Sequence, residues 1–280
     1  MAELFFISND KYFPAGTPVI GPGNRSFRYG DGIFEIMKMV EGNIINKDFH
    51  FDRLFKGLST LEFDIPKHLT PAILEKKIKD LANKNRHATL ARVRLVLFRS
   101  NGGVFDAQTM QPDFIIESWP LTGQQQLNTN GLIIDVFPAA RKSCDAFANL
   151  KSNNYLPYIM AGLYAKKNKL NDAILLNSFD RICDSVIANV FIIKGERIET
   201  PLLSEGCVAG VMRRWMVEKF NLKPYVILEK KLSINDLLDA DEIFLTNAIY
   251  HIKWVKSFKE KSYTNLHTTE IYNYISNHLV

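Results

Sequence analysis

Cysteine is scarce in this chain: Cys144, Cys183 and Cys207 are the only three in 280 residues, an odd number at no metal-binding spacing. That argues against a disulfide framework and predicts a cytoplasmic protein, because thiols stay reduced there. Long apolar runs are missing as well. Nothing approaches the ~18 residues that a membrane span requires. The opening MAELFFISND has no basic stretch ahead of its four large apolar residues, so no signal peptide is expected. Neither sign of charge dominates: 35 basic and 30 acidic residues leave a net +5, spread along the chain. This reads as a solvated surface, not a nucleic-acid footprint. There is no GxGxxG opening a helix after a strand, and no GxxxxGK[ST], HExxH, CxxC or GxSxG. Nicotinamide, P-loop and serine-hydrolase readings have no support, and no metal site is expected.

What remains is an ordinary globular composition, 46% hydrophobic and 11% aromatic. A chain of this length predicts about two domains and can bury about three quarters of its unfolded surface. Leu4 to Ser8, Ile33 to Val40, Leu90 to Phe98 and Asp113 to Trp119 read as strands, with Val93, Leu95 and Leu97 facing one way. Asp52 is placed to cap a helix carrying Leu54, Phe55, Leu58 and Leu61 on one face. Thr70-Pro71 opens a second helix with Leu74, Ile78 and Leu81, proline being well suited to the first helical position. Residues 120–131 (PLTGQQQLNTNG) lack any periodic pattern and predict a linker. Beyond them come a strand from Leu132 to Phe137 and a long apolar helix from about Tyr155 to Lys169. Strands follow near Ala173 to Leu176, Ala188 to Ile193 and Glu242 to Leu245, and helices near Val211 to Phe220 and Thr269 to Leu279. The expectation is a two-domain α+β protein, 1–119 and 132–280 joined by 120–131, and not a regular βαβ array.

Four segments carry chemistry. The first is Arg28-Tyr-Gly-Asp-Gly-Ile-Phe-Glu35, followed by His50-Phe-Asp-Arg53-Leu-Phe; the second is Lys151-Ser-Asn-Asn-Tyr155-Leu-Pro. The third is Ile182-Cys-Asp184-Ser-Val-Ile-Ala-Asn189-Val-Phe. The fourth is Pro201-Leu-Leu-Ser-Glu-Gly-Cys-Val-Ala-Gly210-Val-Met-Arg213, with Phe244-Leu-Thr246-Asn247-Ala248 after it. In order and spacing they resemble the class IV aminotransferases, the fold-type-IV pyridoxal-phosphate enzymes. That family includes branched-chain and D-amino-acid aminotransferases and 4-amino-4-deoxychorismate lyases. The resemblance runs from about residue 4 to residue 255. It implies a small N-terminal α/β domain and a larger C-terminal β-barrel-like α+β domain. It also implies pyridoxal 5'-phosphate as cofactor, a small-molecule amino substrate and a homodimer.

The resemblance makes Lys151 the Schiff-base lysine and the general base, a role that needs an amine able to attack a carbonyl. Asp184 falls where the family places the carboxylate that keeps the pyridine nitrogen protonated, so that the ring acts as an electron sink. The family usually has glutamate there, and aspartate is shorter by roughly 1.5 Å. Arg53 matches the phosphate arginine, a charge-assisted contact. The N–H groups of Gly210, Val211 and Met212 open a helix and complete an anion site, although many relatives carry threonine where Met212 stands. Tyr155, Asn189, Thr246 and Asn247 are further cofactor candidates, and Phe34, Glu35, Arg99 and His251 are substrate candidates. Arg92, Arg94 and Arg141 are open in the same way as carboxylate binders. Strand alternation puts Phe34, Ile36 and Lys38 on one face and Glu35 on the other, so Phe34 and Glu35 cannot both line one cleft.

Details of the motifs divide the reaction. Gly210-Val-Met-Arg213 and Leu245-Thr-Asn-Ala248 resemble the lyase pattern, whereas Tyr29-Gly-Asp-Gly-Ile-Phe-Glu35 has the aminotransferase-like form. The reading favours 4-amino-4-deoxychorismate lyase, which releases pyruvate and p-aminobenzoate. Transamination of branched-chain or D-amino acids is the alternative. A pyridoxal-phosphate-binding protein without catalysis is a third, with Asp184 and Met212 as marks of the loss.

Overall fold

A computed structural model describes residues 3–122 and 126–279, which divide into two units. One is residues 1–123 with 151–154, the other residues 124–150 with 155–280.

The first unit contains β1 (Phe5–Ser8), β2 (Lys11–Pro14), α1 (Arg25–Tyr29), β3 (Gly32–Val40), β4 (Asn43–Ile44), α2 (Lys47–Thr60), α3 (Pro71–Lys84), β5 (Leu90–Phe98) and β6 (Asp113–Pro120). Among the described residues its sheet has six strands in the order β2-β1-β6-β5-β3-β4, every pairing antiparallel. The period-two pattern of β5 buries Val93, Leu95 and Leu97 completely, against Met37 and Met39 of β3. Leu54 and Leu58 of α2 and Leu74, Ile78 and Leu81 of α3 close this core. Burying each such side chain stabilises the unit by about 1.5–3 kcal/mol. Helix α3 starts at Pro71 behind Thr70, whose Oγ1 accepts from the Ile73 N–H at 3.3 Å, as the Thr-Pro pair predicts.

Helix α2 corrects the sequence reading. Asp52 does not cap it; the helix begins at Lys47, behind Asn46 in the left-handed region, and Asp52 and Arg53 lie in its middle. The apolar stripe from Leu54 onward marked only the second half, because the earlier buried positions are His50 and Phe51, and a histidine does not read as core.

The segment 151–154 joins the first unit through its backbone. Phe34 N–H donates to Lys151 O at 2.9 Å, and Asn153 N–H to Gly32 O at 2.9 Å. Asn153 Nδ2 also donates to Ser26 Oγ at 2.8 Å. This close approach explains the paired glycines 30 and 32, since a side chain at either would collide with Asn154 or Asn153. A division into 1–119 and 132–280 contains no such excursion of the chain.

The second unit contains β7 (Leu132–Lys142), α4 (Leu156–Lys167), β8 (Asp172–Asn177), β9 (Ile182–Ser185), β10 (Asn189–Lys194), β11 (Arg197–Pro201), α5 (Val211–Lys219), β12 (Val226–Lys230), α6 (Ile234–Asp239), β13 (Glu242–Asn247), β14 (His251–Phe258), β15 (Lys261–Ser262) and α7 (Leu266–His278). Strands β10, β13, β14, β7, β8 and β9 pair in that order, and β9 pairs back to β10. The result is a closed ring of six strands, which leaves no edge within it. Ile174, Ile182, Val190, Ile192, Ile243, Leu245 and Val255 cluster in one core. Asn189 alternates with Val190 and Thr246 with Leu245, so both face the opposite way; Asp184, paired with Asn189, faces with them across a register shift between β8 and β9. Strand β7 runs past the predicted Phe137 to Lys142 across a register shift between Val136 and Arg141. Pro138 and two alanines hid that continuation. Helix α4 buries Tyr158, Ala161 and Ala165, while Leu156, Ile159, Met160 and Leu163 are exposed.

Of the predicted linker 120–131, Pro120 belongs to β6, and residues 123–125 lie outside the described residues. Asn128 is fastened to β14, accepting from Trp254 N–H at 2.9 Å and donating to Trp254 O at 3.0 Å. Among the described residues no helix is long and apolar enough to cross a membrane.

Candidate active site

Each unit holds a group of the predicted side chains. In the first, β3 and α2 are packed against each other, and Glu35 points from β3 to α2. Its carboxylate accepts from Arg53 Nε at 2.8 Å and Nη2 at 2.5 Å, and from His50 Nδ1 at 2.6 Å. Burial opposes ionisation of Glu35, but the charge of Arg53 and the hydrogen bonds of both partners outweigh it and hold the carboxyl at about 2. For His50 burial wins, and its pKa falls below the ordinary histidine value. An ionised Glu35 can only accept, so Nδ1 carries the imidazole proton and Nε2 presents a lone pair. Nε2 is buried and has no partner among the described residues.

On the opposite face of β3 stands Phe34, as alternation predicts. Lys151 Nζ lies 4.6 Å from the centre of the Phe34 ring, and the Arg94 guanidinium 5.2 Å from it. Arg94 Nε is buried without a partner among the described residues. Lys38, on the same face, has its ammonium pKa lowered by burial. Thus Phe34, Lys151 and Arg94 come together, whereas Arg99 does not join them. Arg99 donates to Asp31 Oδ1 at 2.7 Å and to Leu61 O, and stacks over Phe63. Arg92 lies over Trp119, and Arg141 pairs with Asp180 at 2.7 Å.

In the second unit the centre is Asp184, 2% exposed. Asn189 Nδ2 donates to its Oδ1 at 3.0 Å. Its Oδ2 accepts from Lys142 Nζ at 2.7 Å, Tyr158 OH at 2.8 Å and Val208 N–H at 3.0 Å. Burial and the Asp184 charge push the Tyr158 phenol well above its usual pKa. Tyr155 stacks on Tyr158 with ring centres 4.4 Å apart and donates to Val186 O at 3.3 Å. Lys142 is absent from the sequence-based candidates because the apolar pattern of β7 stops at Phe137. The register shift between Val136 and Arg141 reverses the alternation begun at Ile134 and turns Lys142 to the face of Asp184.

Asn189 also donates to Val208 O at 2.9 Å, and its Oδ1 fills the space that a side chain at Gly210 would need. Gly210 caps α5 without a side-chain bond, so the N–H groups of Val211 and Met212 head the helix with no intrahelical acceptor. The Val211 and Met212 side chains are themselves buried; Met212 contributes packing in place of a hydroxyl. Thr246 pairs in register with Asn189, and its Oγ1 is buried without a partner among the described residues. Asn247 accepts from Ile249 and Tyr250 N–H and donates to Ile187 O, and so shapes the turn into β14. His251 ends that turn at φ +62°.

These residues fit pyridoxal phosphate. By residue type, the first unit offers an amine in Lys151 and the second a buried carboxylate in Asp184. The second unit also offers the helix N–H groups behind Gly210 and the Thr246 hydroxyl, which has no partner among the described residues.

The amino-transferase class IV family matches residues 32–258. The chain is 29% identical to the aminodeoxychorismate lyase of Bacillus subtilis over 91% of its own length and 87% of that protein. Its structure superposes on the branched-chain amino acid aminotransferase from Escherichia coli with a TM-score of 0.88 at 20% identity, covering 100% of this chain and 95% of that one. A hypothetical aminotransferase from Mycobacterium tuberculosis in a PLP-bound form gives 0.83 at 16% identity and covers 99% of both chains.

Proposed function

The chain belongs to the amino-transferase class IV family, and on that premise we propose that it is a pyridoxal-phosphate-dependent 4-amino-4-deoxychorismate lyase. The observation that carries the cofactor reading is Lys151, held by its backbone to β3 with its ammonium over Phe34. The choice of reaction rests on likeness over nine tenths of the chain to a lyase.

When bound, the cofactor supplies an electron sink next to the substrate carbon that loses its proton. Everything else falls to the chain. Lys151 Nζ is the amine that would hold the cofactor aldehyde, and with substrate bound it would act as general base for the substrate proton. Glu35, itself bonded to His50, holds the Arg53 guanidinium in one orientation suited to a phosphate oxygen; the first N–H groups of α5 would offer anion donors. Asp184 would meet the ring nitrogen, with Asn189 and Thr246 beside it on their strands. Arg94, with its orphaned Nε, is the arginine best placed to take a substrate carboxylate; Arg99 is spent on Asp31.

The test is to load the purified protein with pyridoxal phosphate and supply aminodeoxychorismate. Pyruvate and p-aminobenzoate appearing in equal amounts support the lyase. Conversion of the cofactor to its amine form by L- or D-amino acids instead makes it an aminotransferase, the reading that Glu35 in its motif favours. Tight cofactor binding without either reaction makes it a binding protein. We also propose a cytoplasmic homodimer. The exposed Leu156, Ile159, Met160 and Leu163 of α4 and the three free cysteines support this reading, and light scattering on the eluted protein tests its mass.

A further inference from the structure

We infer that Lys142 is a positioning residue for the cofactor: it clamps Asp184 to the loop leading into α5 and weakens that carboxylate's hold on the ring-nitrogen proton. The inference rests on the reading above, in which Asp184 faces the ring nitrogen.

Lys142 is 8% exposed, and its ammonium has two oxygen acceptors, Asp184 Oδ2 at 2.7 Å and Gly206 O at 2.6 Å. Asp184 Oδ2 in turn takes Val208 N–H at 3.0 Å. Lys142 and Asp184 therefore grip the chain on both sides of Cys207, just ahead of Gly210 and the helix N–H groups. A carboxylate has about four acceptor positions. Oδ2 is crowded by Lys142, Tyr158 and Val208, while Oδ1 holds only Asn189 among the described residues. The open position is on Oδ1, where a ring N–H can be accepted.

The other titratable groups beside Asp184 are Tyr158, Cys183 and Cys207. Burial raises all three, with Cys207 pushed up to about 12 and the other two also well above their usual values. They are neutral near pH 7, which leaves Lys142 as the cation in direct contact with Asp184. A protonated ring must share the carboxylate with that ammonium, and a shared anion stabilises each cation less. Lys142 thus balances Asp184 before the cofactor arrives and moderates the ring as an electron sink afterwards.

The experiment uses full-length protein loaded with pyridoxal phosphate carrying 15N in the ring. The nitrogen's chemical shift is followed across pH for wild type, Lys142→Met, Lys142→Gln, Lys142→Arg and Asp184→Asn. Lys142→Met and Lys142→Gln are expected to move the ring titration up by about one pH unit or more. Lys142→Arg is expected to restore wild-type behaviour. Cofactor affinity should fall for Lys142→Met, which loses the Gly206 contact, and less for Lys142→Gln, which keeps an N–H donor. If the uncharged variants titrate like wild type while Asp184→Asn loses the ring proton, the inference is overturned and the cofactor reading stands. If wild type takes up no cofactor, both fall. If Lys142→Met and Lys142→Gln both fail to fold while Lys142→Arg folds, the lysine is structural only and the inference is again overturned.

Discussion

Glu35 holds Arg53 through two hydrogen bonds, Nε to Oε1 at 2.8 Å and Nη2 to Oε2 at 2.5 Å, with its carboxylate buried and also bonded to His50. A strand residue thereby fixes the planar guanidinium of a mid-helix arginine, and the same contact ties α2 to β3. Bidentate geometry of this kind orients as well as attracts.

The pairing predicts a pH signature. Glu35 sits at about 2 in the fold against an ordinary 4.5. Its stabilisation is therefore fully present above about 4.5 and is lost as pH falls through about 2. The linked free energy is on the order of 3 kcal/mol. Urea unfolding across pH 2–6 should show this loss in wild type and a flatter profile in Glu35→Gln. Glu35→Gln should also be less stable at pH 7 by roughly 3 kcal/mol, because Arg53 loses its counter-charge. Equal slopes in the two proteins would remove Glu35 as the source.

Lys151 is tested by covalent chemistry. Borohydride reduction of the cofactor-loaded protein is expected to leave a phosphopyridoxyl mass on the peptide containing Lys151. Lys151→Ala should carry no adduct and lose at least about 10³-fold in turnover, in keeping with removal of a group that serves as both nucleophile and base. An adduct on Lys142 instead would move the site to the other unit.

Arg94 and Arg99 should separate by kind of defect. Arg94→Met is expected to raise KM about tenfold or more with little change in thermal midpoint, the effect of removing a charge-assisted contact worth about 1.5–3 kcal/mol. Arg99→Met should lower the midpoint, because Asp31 and Leu61 O lose their donor. Steady-state kinetics and thermal melts on both variants read the difference. A KM effect at Arg99 alone would reverse the assignment.

Gly210→Ala places a methyl group where Asn189 Oδ1 lies. Asn189 must move, loosening its bonds to Asp184 and Val208. Cofactor affinity should drop at least tenfold by equilibrium titration, with a stability loss of about 1–3 kcal/mol from overpacking. An unchanged affinity would show that the loop relaxes without involving the site.

Much of the architecture was legible in local pattern. The alternation of Val93, Leu95 and Leu97 located β5 from Leu90 to Phe98, and Thr70-Pro71 located the start of α3. Signals of this type are short-range, since a two- or 3.6-residue period and a cap need only neighbours in sequence. Where neighbours mislead, the reading stopped short: Pro138 hid the end of β7, and His50 hid the first turn of α2.

The residue types for the chemistry, and their order, were determined by the sequence itself: an amine at 151, a carboxylate at 184, an arginine at 53, and a glycine-led helix at 210. Their partners were decided only by tertiary structure. Glu35 meets Arg53 because β3 and α2 pack together. Lys142 meets Asp184 because β7, β8 and β9 lie side by side in one ring of strands. Burial and nearby charge then set which charges survive: Arg53 and the hydrogen bonds keep Glu35 ionised against burial, and burial keeps His50 neutral. Those outcomes depend on desolvation and on charges a few ångströms away from residues distant in the chain, and no local period encodes them.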